Sequence, residues 1–217
     1  MTKLKYCLMR RKEVARYVKS LGPLERVETA GGIEIKLSEA AMKAVKKRAV
    51  KANKRGFATI HNLETGLLGQ AAVAYELKRN WLEGVMQMTQ EADIYDILYR
   101  SCAMDVKTFD IRPYFVEPHS LMAVRLRQFH NLLRHYLFYI GVLQIGVDKV
   151  RIMGFVTRKY LESLEAEDST VIYEDGDPDK KNVVVKKLAQ FTEISHLDAV
   201  IDRMLVSASQ FASSFKR

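Results

Sequence analysis

Strand-like and helical patterns interleave along this chain of 217 residues, and that interleaving predicts an α/β fold. Three observations carry the prediction. Short apolar runs with strand character recur at 33–37, 84–88, 95–99, 103–108, 136–143 and 150–158. Helical patterns fall between and after them, at 42–55, 66–76 and 197–215. A hydrophobic content of 48% is enough to bury a sizeable core and suits one domain with an appendage.

Taken in order, residues 11–21 suggest a short helix stopped by Gly22-Pro23. Residues 24–29 and 33–37 suggest a small hairpin. Ser38 then starts a helix, as an N-capping residue should. At 100° per residue, Lys43, Lys47, Lys51, Lys54 and Arg55 of that helix share one stripe. Residues 1–57 hold 16 Lys and Arg against 5 Asp and Glu, a net of +11, whereas the remainder nets −2. All the excess positive charge is therefore N-terminal, and a polyanion would bind it by counterion release with little sequence information. The expected division is a basic, mainly helical extension over 1–57 and a core over 58–217. The five basic residues are expected on a DNA backbone, the plainer alternative being a solvated helix face.

The core opens with a small-residue helix, Gly66 to Glu76, followed by a strand-like run at 84–88. Next come two runs that carry chemistry. If residues 96–100 and 101–108 form an antiparallel hairpin with Arg100 and Ser101 at its tip, Asp96 lies opposite Asp105. Asp105 and Lys107 then share one face while Val106 points into the core. With Ser101 and Cys102 at the tip instead, Asp96 lies opposite Lys107, so the groups converge in either register. Neither tip is a preferred hairpin dipeptide. Facing acids repel in a merely structural sheet, and a bound cation removes that penalty. Carboxylates that hold a divalent cation, with a lysine beside them, are what phosphodiester hydrolysis needs, because the cation polarises the phosphate and lowers the pKa of an attacking water.

An acid two residues before a lysine is not specific by itself. The chain has four such tripeptides, at Glu34–Lys36, Glu76–Lys78, Asp105–Lys107 and Asp179–Lys181. Glu76 and Lys78 end a helical pattern, and 179–181 lie in a polar turn. The rival is Glu34-Ile35-Lys36, which lacks the preceding helix, first strand and downstream strands that surround Asp105. Further along, residues 136–143 and 150–158 suggest a second hairpin followed by a short helix. Asp175-Gly-Asp177-Pro-Asp179 resembles the start of a calcium loop, but Lys180 stands where glycine is required and Lys186 where the bidentate glutamate belongs, so it reads as a turn. Leu197, Val200, Ile201, Met204, Leu205, Ala208, Phe211, Ala212 and Phe215 form an apolar helical stripe that could cover the core or pack on a second subunit.

The helix 66–76, the strand 84–88, the acid-bearing strand 95–99, the Asp105-Val106-Lys107 strand and the downstream hairpin resemble, in that order, nucleases of the PD-(D/E)XK superfamily, phage and archaeal members and Holliday junction resolvases among them. The resemblance covers roughly 60–200. It implies a restriction-endonuclease-like core, a mixed central sheet flanked by helices, and magnesium-dependent hydrolysis of DNA with Mn2+ as a substitute. Asp96 and Asp105 would be the metal-binding acids, the Val106 carbonyl a further ligand, and Lys107 the residue that positions water. Many relatives carry a glutamate on the first helix. Gln70 stands there in this chain, and Glu64, one and a half turns earlier, is the alternative. That departure keeps a second reading open, a catalytically inactive nucleic-acid-binding protein on a nuclease-like scaffold.

Composition excludes other classes. No run of 18 apolar residues exists to span a membrane, and the first twelve residues do not read as a signal peptide. Two isolated cysteines, Cys7 and Cys102, argue against a disulfide scaffold and for a reducing intracellular compartment, the cytoplasm, or a host's if the source is viral. Neither they nor the five histidines have zinc-site spacing.

Overall fold

The computed structural model describes residues 24–53, 58–86, 96–112, 121–126, 137–165, 171–173 and 181–214. Residues 11–21, Lys54, Arg55 and the turn at 175–179 lie outside them. The fold is α/β, built on a mixed six-stranded sheet and a second, three-stranded sheet.

β1 (Glu25–Thr29) and β2 (Gly32–Lys36) form the expected hairpin, closed by Ala30-Gly31. Gly32 holds φ at 126°, and a Cβ there would stand 2.1 Å from the Ile152 carbonyl oxygen, so only glycine lets β2 meet its neighbour. That neighbour is β7 (Lys149–Thr157), paired antiparallel from Ile33↔Ile152 to Lys36↔Lys149. Ser38 Oγ then accepts from Ala41 N at 3.3 Å and starts α1 (Glu39–Asn53). Ala41, Val45, Ala49 and Ala52 of α1 are buried in the main core. Residues 24–53 thus contribute two strands and a helix to the sheet and the main core.

α2 (Ile60–Lys78) is capped at its start by Thr59, whose hydroxyl accepts from Asn62 N. It ends at Arg79, which enters the left-handed region and donates its N–H to the Tyr75 carbonyl at 2.7 Å. Small residues let it lie close on the sheet. A Cβ on Gly69 would fall 1.9 Å from Thr108 Oγ1. The run at 84–88, expected as a strand, contributes to a helix instead, α3 (Trp81–Met86), and residues 87 and 88 lie outside the described residues. Trp81, Leu82 and Val85 are buried at helical spacing, and Gly84 packs so tightly on α2 that a Cβ would stand 2.2 Å from the Gln70 carbonyl oxygen. Periodicity cannot separate strand from helix in a run this short.

β3 (Ile97–Tyr99) and β4 (Cys102–Asp110) form a hairpin in the first of the two expected registers, with Ile97↔Met104 and Tyr99↔Cys102. Arg100 and Ser101 make its turn at φ 47° and 64°. A left-handed conformation costs a non-glycine residue about 1–2 kcal/mol, so the turn is held against its local preference. β4 runs parallel to β6 (Phe138–Gln144), and β6 runs antiparallel to β7, as the downstream hairpin required. All seven residues of β6 are buried, as expected of a central strand covered on both faces. β7 leads into the short helix α4 (Arg158–Glu165).

The sheet divides two cores. On one face Met104 and Val106 pack with α1, α2, α3 and the start of α5 (Leu197–Ser214). On the other, Ala103 and Phe109 pack with α4, β5 (Met122–Arg125) and β9 (Lys181–Val185), which pairs β8 (Val171–Tyr173). In α5, Leu197 and Ile201 are buried, while Leu205 and Val206 are 53% and 54% exposed, so the apolar stripe leaves the core after its second turn. Among the described residues no helix is long and apolar enough to cross a membrane.

Candidate functional site

β4 alternates between the two cores, and this fixes where its chemistry lies. Met104, Val106 and Thr108 face α2, so Asp105 and Lys107 project from the opposite face. Asp105 is 4% exposed. Lys107 Nζ lies 2.8 Å from its Oδ2, on a side chain that keeps 24% of its surface in solvent.

Asp96 sits immediately before β3, where the regular pairing ends. Its backbone N–H donates to the Met104 carbonyl at 3.1 Å, and its Oδ2 accepts from Val106 N at 2.7 Å. The side chain thus takes the place of the next strand residue. It also stands within electrostatic reach of the Asp105 carboxyl. Enclosure by protein raises the Asp96 pKa well above the ordinary carboxylate range, and the negative charge of Asp105 raises it further. Two acids in one enclosed space cannot both ionise cheaply with a single lysine beside them.

These features fit a divalent cation. Asp105 Oδ2 is buried and its charge contact is the Lys107 ammonium at 2.8 Å, a pairing that a bound cation would share. The N–H and C=O of one strand residue point to the same edge, so the Val106 carbonyl shares the side on which its N–H meets Asp96. Two carboxylates and a carbonyl are hard oxygen donors of the kind magnesium takes, and they leave further positions for water and phosphate. Among the described residues no group of three or more His, Cys, Asp or Glu side chains is placed to hold a metal.

The two helix residues expected as further ligands are not brought to it. Gln70 follows Gly69, which abuts Thr108 on the face of β4 turned away from Asp105. It is buried, and no hydrogen bond or charge contact joins it to Asp96. Glu64 lies beside Arg112, beyond the far end of β4, with Met42, Lys46 and Val147 around the same small cavity. Arg112 forks onto Asp110 at 2.8 and 2.6 Å, pulling that carboxyl below its usual range, and His61 Nε2 stands 3.2 Å away. Asp110 is five strand residues from Asp105, roughly 17 Å along β4. This second charged cluster has no sequence signature, because its members come from three distant segments.

The other acid-x-lysine tripeptides are accounted for structurally. Glu34 is buried, and its carboxylate is held by Lys149 and by Arg151, the latter at 2.6 Å, which together lower its pKa. Lys36 reaches Glu25 at 3.6 Å. Glu76 receives Arg26 at 2.7 Å, and Lys78 pairs with Glu83. The tripeptide at 179–181 has only Lys181 within the described residues. On α1, Lys43, Lys47 and Lys51 are exposed opposite the buried alanine and valine face, so the basic stripe looks outward as far as the described residues reach.

No protein-family model, curated protein or solved structure matches this chain.

Proposed function

We propose that this protein is a metal-dependent nuclease that hydrolyses DNA phosphodiester bonds, built on a core of the PD-(D/E)XK type. The observation that supports the reading best is the meeting of Asp96, Asp105 and Lys107 beside the Val106 backbone, on a hairpin flanked by a parallel strand and an overlying helix. Asp96, Asp105 and the Val106 carbonyl would hold Mg2+, with Mn2+ as a substitute. A bound cation supplies charge stabilisation at the phosphate and a more acidic water. Lys107 acts differently, since its ammonium, fixed against Asp105 yet open to solvent, orients a water molecule for attack and offsets charge on the phosphate. Lys43, Lys47 and Lys51, with Lys54 and Arg55 following in sequence, would track the phosphate backbone without reading bases. The exposed apolar residues of α5 would seat a second copy, which suits a substrate with two-fold symmetry. The buried free thiol of Cys102 suits a reducing cytoplasm.

The test is incubation of purified protein with linear, circular, single-stranded and four-way-junction DNA in magnesium, manganese or EDTA. Cleavage of at least one substrate in metal and none in EDTA is expected, with activity abolished in Lys107→Ala and Asp105→Asn and kept in Lys36→Ala. DNA binding without cleavage of any substrate would favour the inactive scaffold, for which the absence of a helix carboxylate at Gln70 speaks. Full activity in Lys107→Ala would remove the site altogether.

A further inference from the structure

The turn that joins the two acid-bearing strands is made of residues that do not favour it. Arg100 and Ser101 both hold positive φ, where a two-residue hairpin prefers Asn-Gly. β3 adds little restraint, being three residues long and paired only to β4 at the edge of the sheet. Restraint comes from outside the hairpin. The Arg100 guanidinium forks onto α5, with Nη1 3.2 Å from Asp198 Oδ1 and Nη2 2.5 Å from Asp202 Oδ1. Tyr99 adds a hydroxyl donated to Asp198 Oδ2 at 3.3 Å. Asp198 and Asp202 stand one helical turn apart on a shared face. Their helix is anchored at the same level by Leu197 and Ile201, both buried in the main core.

We propose that Arg100 is a positioning residue, and that its fork onto Asp198 and Asp202 is a latch through which α5 sets the spacing of Asp96 and Asp105 and hence the metal affinity of the centre. This rests on the reading of that hairpin as a metal centre. Asp96 lies four residues before Arg100 and Asp105 four after Ser101, so the acids sit at matching distances along the two arms. A shift at the tip is carried down both arms, and a slip of one residue would turn Asp105 to the wrong face. A direct contact of Arg100 with DNA is the competing role. Its guanidinium is already engaged by two carboxylates, which would repel a phosphate.

Exposed ion pairs add little to global stability, so loss of the latch should register at the centre and not in the melting temperature. The experiment compares wild type, Arg100→Ala and the double variant Asp198→Ala/Asp202→Ala by Mn2+ calorimetry and by amide exchange of residues 102–106. Each latch variant should bind Mn2+ about tenfold more weakly, the scale seen when outer supports of metal ligands are removed, and exchange those amides faster. Adding Arg100→Asn with Ser101→Gly to the double variant supplies a turn that needs no latch and should restore both. A role that needs the Arg100 guanidinium itself, such as contact with DNA, would not give that restoration. Unchanged exchange on removing the latch, or no recovery with the Asn-Gly turn, overturns the proposal. Wild-type protein that binds no Mn2+ sinks the metal-centre reading and the effect on affinity, whereas the exchange data still decide whether Arg100 holds the hairpin.

Discussion

Adding a divalent cation should stabilise this protein, and the size and pH dependence of the effect follow from the two carboxylates. In the metal-free protein, ionising both Asp96 and Asp105 in contact would set up a repulsion on the order of 4 kcal/mol at an effective dielectric of 20, offset in part by Lys107 at 2.8 Å. Burial raises the Asp96 pKa, and the charge of Asp105 raises it further. A cation competes with protons for the same carboxylates. At one hundred times its dissociation constant a ligand adds about 2.7 kcal/mol, and for a chain of this size each kcal/mol raises the melting temperature by about 2–4 °C. Melting in excess Mg2+ or Mn2+ against EDTA should therefore show a rise of roughly 5–11 °C at mildly alkaline pH, shrinking as the solution is acidified and Asp96 is protonated.

Two variants discriminate between causes of such a rise. Asp105→Asn should lose the metal shift. Asp96→Asn should lose it too and yet raise the metal-free melting temperature near neutrality. A carboxyl whose pKa is raised on folding holds its proton more tightly in the native state, so stability falls as pH climbs from the ordinary carboxylate range through the raised pKa, and asparagine removes that slope. A metal shift of equal size in Asp105→Asn, or a less stable Asp96→Asn protein at neutral pH, would refute the reasoning.

Three further outcomes are expected. Neutralising Lys43, Lys47 and Lys51 together should weaken binding to every DNA sequence and flatten the plot of log affinity against log salt by about 0.9 for each phosphate no longer neutralised, with little change in turnover at saturating DNA. Gly84→Ala should destabilise by about 1–3 kcal/mol in denaturant titration, because the new methyl meets the Gln70 carbonyl at 2.2 Å and backbone on both sides must give. Glu34→Gln should cost about 1–3 kcal/mol at neutral pH by leaving Lys149 and Arg151 without their buried partner. Since the Glu34 pKa is lowered on folding, the wild-type advantage should be present above the ordinary carboxylate range and fade as pH falls through the lowered value.

The site was more legible in the sequence than the architecture around it. Asp96, Asp105 and Lys107 fall within twelve residues of one another, so strand alternation and a tight turn suffice to bring them together. Ser38 as a cap, the hairpin before it and the small-residue helix were readable for the same reason, each being local. The pairing of β2 with β7 joins residues more than a hundred positions apart, and nothing in either segment names the other. The basic composition of the first 57 residues gives no sign that residues 24–53 pair and pack with segments so far along the chain. Gln70 is singled out by the family resemblance and Glu64 by its distance along the same helix, and neither tells which face of β4 the helix covers. The fork of Arg100 onto α5 links residues about one hundred positions apart and has no local signal.

The brevity of β3 also governs association between molecules. An exposed strand edge is a template on which another chain can add. Three residues offer too short a row of free amide groups to nucleate such growth, and the charged turn of Arg100 beside Asp198 and Asp202 closes one end of it. At the opposite margin of the sheet β1 is longer, and there charge gives the protection, with Glu25, Arg26 and Glu28 along its five residues.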